Sequence, residues 1–100
     1  MLKQECECFL IEAQQGLDPI TVVLQDLGPN QGKIIVECYG LSWSTFWGGM
    51  SGKTVRDFVA ASDSFYLASR FWRADQRRTK QSEQHLERIC KAVIQAMKPE

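Results

Sequence analysis

The sequence has no apolar run approaching the roughly 18–20 residues that a membrane-crossing helix needs. Its opening stretch, MLKQECECFLIEA, breaks the apolar positions with Glu5, Glu7 and Glu12, which is the wrong pattern for an export signal. Net charge is missing too. Twelve basic side chains balance twelve acidic ones, so no overall field draws the chain to nucleic acid or to a membrane. Histidine is scarce, His85 being the one present. There is no internal repeat and no low-complexity segment. Without an export signal the expected compartment is a reducing cytoplasm, where Cys6, Cys8, Cys38 and Cys90 remain free thiols.

What is present suits one small globular domain spanning residues 1–100. The length leaves no room for a second core. Hydrophobic residues make up 44% and charged residues 24% of the chain, a balance of folded rather than disordered protein. The charges are unevenly placed. Residues 1–50 hold Lys3 and Lys33 against six acids, a net of −4, so residues 51–100 carry +4. Much of that excess lies in Arg70, Arg73, Arg77, Arg78 and Lys80, offset locally by Asp75. The pattern predicts a dipolar surface with one basic patch.

Residues 5–13 begin with period-two alternation, Glu5 and Glu7 on one side and Cys6, Cys8 and Leu10 on the other. That favours a strand, with a helix as the competing reading. Gly16 and Asp18-Pro19 then break the chain. Ile20, Val22 and Leu24 share one face of a second strand. The Gly28-Pro29-Asn30-Gln31-Gly32 turn follows. Lys33–Tyr39 resume the alternation with Ile34, Val36 and Cys38 on one side, so an antiparallel hairpin is the economical reading. Leu41–Trp47 return as a further strand with Trp43, Thr45 and Trp47 on one face.

Gly48, Gly49 and Gly52 mark the change to helix. Thr54, followed three residues on by Asp57, predicts a capped start. Ser62 or Ser64 is expected to cap a second short helix holding Phe65, Leu67, Ala68, Phe71 and Trp72. Arg73–Ser82 is polar and basic, and reads as a linker or as the exposed start of the last helix. From Glu83 onward Leu86, Ile89, Cys90, Val93, Ile94 and Met97 form a one-sided helical stripe. Strands first and helices after predict an α+β fold. Its parts are an antiparallel meander of three to four strands, two short helices, and a longer C-terminal amphipathic helix packed on the sheet. If that helix's stripe exceeds what one sheet covers, a second copy of the chain completes the burial as a homodimer.

Four constellations invite a chemical reading. Gly48–Thr54 imitates a phosphate-binding loop, ending in Gly52-Lys53-Thr54, but the opening glycine of that motif is replaced by Trp47. Isolated anion binding at the following helix start is the weaker remaining role. Cys6-x-Cys8 with Cys38, Cys90 and His85 lacks the paired spacing of structural zinc, and Cys38 and Cys90 fit apolar stripes. His85 has no assigned nucleophile partner, and Asp18 and Asp57 suit turn and cap roles. No metal, cofactor or catalytic residue is implied, and an enzyme is not expected. The fourth is the basic-aromatic run Phe65–Arg73, continued by Arg77, Arg78 and Lys80. Aromatics and cations together suit single-stranded nucleic acid. The same residue types anchor protein interfaces, and as core plus solvated surface they need no partner at all.

The segments Leu17–Val22, Gly32–Gly40, Trp43–Gly48 and Val55–Phe58 resemble small uncharacterised proteins of tailed bacteriophages and of prophages in enteric bacteria. The resemblance runs from about Leu17 to Trp72. It implies a phage accessory role in the bacterial cytoplasm, and by analogy the binding of a host factor such as a defence or replication protein. No catalytic residue carries over. The candidate contacts are Trp43, Trp47, Tyr66, Arg70, Trp72, Arg73, Arg77 and Arg78. A nucleic-acid-binding module using residues 65–80 is the alternative.

Overall fold

Alternation in residues 20–47 becomes a three-strand meander, and the N-terminal stretch adds a fourth strand to its edge. A computed structural model describes residues 1–73 and 76–99. The strands are β1 (Glu7–Ile11), β2 (Ile20–Gly28), β3 (Gln31–Cys38) and β4 (Leu41–Trp47). They lie in sequence order in one antiparallel sheet. The helices are α1 (Val55–Ala60), α2 (Ser64–Phe71) and α3 (Lys80–Met97). The expected α+β architecture is therefore present, with α3 packed over the sheet as predicted.

Register fixes which side chains meet. Val22 pairs with Phe9 and Val36, Ile34 with Thr45, and Val36 with Trp43. Paired residues share a face, so Phe9, Ile11, Ile20, Val22, Leu24, Ile34, Val36, Cys38, Trp43 and Trp47 all look toward the helices. The six stripe residues of α3, Leu86 to Met97, are buried against this layer together with Val55, Val59, Leu67 and Phe71. The chain itself therefore covers the stripe.

Two details of β1 differ from the alternation read in the sequence. Period two holds, but Cys8 and Leu10 point outward and are exposed. Phe9 and Ile11 instead pack on the core, because their partners Val22 and Ile20 are buried. The Arg56 guanidinium lies 5.3 Å from the centre of the Phe9 ring, a favourable cation–π distance.

Turns and caps hold the elements in place. Tyr39 and Gly40 both have positive φ, 53° and 82°, the pair of left-handed residues that a two-residue hairpin between Cys38 and Leu41 requires. Gly32 is needed for a different reason. A Cβ there would lie 2.1 Å from Val55 Cγ2 and 2.9 Å from the Gln25 carbonyl oxygen, so only glycine lets α1 sit this close to β3. Thr54 caps α1 as expected, its hydroxyl accepting from the Asp57 amide at 3.2 Å. Asp63, not Ser62 or Ser64, caps α2, because its carboxylate reaches the Tyr66 amide at 2.7 Å. Helix α3 starts earlier than the apolar pattern suggests. Thr79 and Ser82 form a reciprocal capping box ahead of the first buried position. The basic stretch before it is thus part connection and part exposed first turn; positions 74 and 75 lie outside the described residues.

Candidate interaction surface

The eight residues expected as contacts separate into two groups, one at each end of β4. At the C-terminal end Trp47 is 4% exposed. Its indole N–H donates to the Tyr66 hydroxyl at 2.9 Å. Its ring meets Phe58 at 5.1 Å, tilted by 58°, and Phe58 meets Tyr66 edge-on at 6.5 Å. These are the spacings of stabilising aromatic pairs. Trp47 therefore joins β4 to α1 and α2 from inside and presents no surface to a partner. Arg70, one turn beyond Tyr66, donates through Nη2 to the Phe46 carbonyl at 2.7 Å. It satisfies a carbonyl that faces away from β3 on the sheet's outer edge.

The N-terminal end of β4 is different. Trp43 and Trp72 are both half-buried and line a cleft of about 300 Å³ together with Leu41, Ser42, Gln76, Arg77, Ser82 and His85. Trp43 and Gln76 also border a smaller hollow of about 170 Å³ that contains Arg73, Phe71 and Ser44. Arg73 and Gln76 are joined by two hydrogen bonds. The Arg73 amide donates to Gln76 Oε1 at 2.8 Å, and the Gln76 amide to the Arg73 carbonyl at 3.1 Å. Arg78 sits with its guanidinium 5.0 Å from the Trp72 ring centre and its Nε 3.3 Å from Glu83 Oε1. Strand β4, the end of α2, the connection to α3 and the first turns of α3 thus bring Trp43, Trp72, Arg73, Arg77 and Arg78 into one neighbourhood. Trp47, Tyr66 and Arg70 belong to the other.

Ser82 and His85 line the same cleft, a placement that no spacing in the sequence signalled. A serine and a histidine three apart on a helix invite comparison with a nucleophile and its base. Here Ser82 Oγ accepts from the Thr79 amide at 2.9 Å and contacts the Thr79 carbonyl at 3.0 Å. Its hydroxyl is committed to the capping box, and no hydrogen bond joins it to His85 among the described residues.

The remaining chemical candidates have structural duties. Asp26 Oδ1 accepts from the Val55 amide at 2.9 Å, and Asn30 Oδ1 accepts from the Gly52 amide. The Gly48–Thr54 turn is thereby tied to the β2–β3 hairpin, and amides that an anion would use are taken by the chain's own side chains. Glu37 Oε2 accepts from the Gly40 amide at 3.0 Å. Cys38 and Cys90 are buried, while Cys6 and Cys8 are exposed. Burial, with Glu87 nearby, pushes the Cys90 thiol up to about 12. Burial first, then Asp18 and Glu37, raises Cys38 as well. Both stay protonated near neutrality, a state that suits packing and not nucleophilic attack. The sequence reading also missed a depression of about 600 Å³ between the β1–β2 loop and the ends of α2 and α3. Its acid, Asp63, is the one that caps α2.

Among the described residues, no helix is long and apolar enough to cross a membrane. No curated protein and no solved structure matches the chain. A match to Phage_phiTE_072, described as a phage family, covers residues 1–100, extending past both ends of the Leu17–Trp72 segment that carried the resemblance. The chain belongs to this phage family.

Proposed function

We propose that this phage protein is a non-enzymatic binding module that engages a bacterial host protein through the Trp43–Trp72 cleft. The observation that carries the reading is convergence. Two half-buried tryptophans from distant parts of the chain form one concave wall, with Arg77 in the cleft and Arg73 and Arg78 beside it. Tryptophan and arginine are the residue types that dominate binding energy at protein interfaces, most of all around a concave pocket. A small rigid domain docked by this surface acts by steric occlusion, and a defence or replication protein is the target class that suits a phage accessory factor. The assignment of Asp26, Asp63, Glu37 and Ser82 to structural hydrogen bonds supports a binding role over a catalytic one.

A nucleic-acid reading of residues 65–80 draws less support. Serial stacking needs several open ring faces, yet within the segment Phe71 is buried and Trp72 already carries Arg78, which leaves Phe65 as the most exposed ring. Affinity capture from a bacterial lysate tests the proposal, using the wild type beside Trp43→Ala and Arg77→Glu. The expected result is a discrete host protein retained by the wild type and lost from both variants while their circular dichroism is unchanged. Capture of nothing, equal capture by all three, or recovery of nucleic acid with salt-sensitive affinity counts against it.

A further inference from the structure

The helices cover one face of the sheet and leave the other open. The open face reads from the strand register as three cross-strand rows. Cys8, Val23, Ile35 and Ser44 form the middle row. Leu10, Thr21, Glu37 and Ser42 lie on one side of it, and Lys33 and Phe46 on the other, in a row whose β2 member, Gln25, is buried and donates to Gln4 Oε1 at 2.9 Å. Val23 and Ile35 are half-buried, whereas Leu10 is 68% and Phe46 49% exposed. The middle of the face is apolar, the two charged residues within its rows have opposite signs, and Arg73 borders it beside Ile35 and Ser44. Lys33 and Glu37 stand two residues to either side of Ile35 on the central strand β3.

That arrangement is self-complementary. We infer that the open face is the contact of a homodimer, two copies stacked sheet on sheet about a two-fold axis along the Cys8–Val23–Ile35–Ser44 row. Such an axis lays Val23 and Ile35 on their own copies. It sets Lys33 against Glu37 of the second copy, twice, because the same operation serves both. It also brings Phe46 over Ser42 and returns Cys8 to Cys8. Facing sheets pack about 10 Å apart with side chains interdigitated, and alternating β3 positions supply those side chains. The alternative axis, along the strand direction, would oppose lysine to lysine and glutamate to glutamate, which like-charge repulsion disfavours. The charges therefore select a second copy in one orientation. At the β4 edge this contact adjoins the Trp43–Trp72 cleft, which Ser42 also lines.

Sedimentation equilibrium of the full chain, with the cysteine-specific crosslinker bismaleimidoethane on a Cys6→Ser background, tests the inference. The wild type is expected at twice 11.4 kDa, with crosslinking through Cys8. Lys33→Glu should weaken the dimer about tenfold or more. The exchange Lys33→Glu with Glu37→Lys should restore it, because the facing pairs are rebuilt with their signs swapped. Circular dichroism confirms that each variant is folded. A monomer at all concentrations overturns the inference. So does a dimer indifferent to Lys33→Glu, or one that the double exchange fails to restore.

Discussion

Trp43 and Trp47 lie on one strand, point to one side of the sheet and belong to the same period-two pattern, yet they do different work. Trp47 is across from Gly32, where the missing side chain lets α1 come close, and Phe58 and Tyr66 close over it. Trp43 is across from Val36, beyond the reach of α1, and its other neighbours are the end of α2 and the turn that follows. One end of β4 is sealed and the other is left as a cleft. Alternation decides which face a residue joins; only the helices laid on that face decide how deeply it is buried. The same pattern thus builds a sealed core at one end of a strand and a concave surface at the other.

The largest test of this contrast is Trp47→Ala. Removing a buried tryptophan should cost about 3–5 kcal/mol of unfolding free energy, read from the shift of the urea midpoint. A loss below about 1 kcal/mol would make the two ends of β4 equivalent. Gly32→Ala probes the same sealed end through the backbone. The new methyl group meets Val55 Cγ2 and the Gln25 carbonyl, so destabilisation of about 1–3 kcal/mol is expected from overpacking.

Alkaline pH perturbs the core without touching either tryptophan. The Cys90 thiol is raised from 9.0 to about 12 in the folded chain. Between those values the unfolded chain loses the proton and the folded chain keeps it, so stability falls as pH rises. The slope is roughly 1.4 kcal/mol per pH unit, fully absent below the unfolded value. Urea midpoints measured on either side of pH 9 should diverge more for the wild type than for Cys90→Ala; parallel changes would remove the claim. Tyr66→Phe takes away the acceptor of the Trp47 indole and should cost about 1 kcal/mol. Arg77→Glu, at the open end, should leave stability within about 0.5 kcal/mol while abolishing capture of a partner.

Much of the fold was legible because it rests on local patterns. The alternation of Ile34, Val36 and Cys38 put all three in the core, and every member of the Leu86–Met97 stripe is buried. Thr54 announced its helix. The misses came where a non-local partner or a small choice of geometry decided. Asp63 reached the Tyr66 amide better than either serine beside it. Phe9 and Ile11 were drawn inward by Val22 and Ile20, leaving Cys8 and Leu10 outside. Helix α3 began at an exposed capping box that carries no apolar signal.

The cleft was only half legible. Its residue types were visible, and three of its eight lining residues, Trp43, Trp72 and Arg77, were among the expected contacts. What grouped Trp43 with Trp72, and withdrew Trp47 and Tyr66 from them, was the return of the α2–α3 connection onto β4. No spacing along the chain encodes that contact. Ser82 and His85 entered the cleft for the same reason: they share the inward face of α3 with Leu86 and Ile89, whose burial sets that helix against the core.

Site-specific photo-crosslinking in growing bacteria can show whether the Trp43–Trp72 cleft meets a host protein. A benzophenone side chain in place of Leu41, at the cleft, is compared with one in place of Gln95, at the far end of α3. A discrete adduct with one host protein is expected from position 41 and none from position 95. No adduct from position 41, or the same adducts from both positions, would contradict a binding role for the cleft.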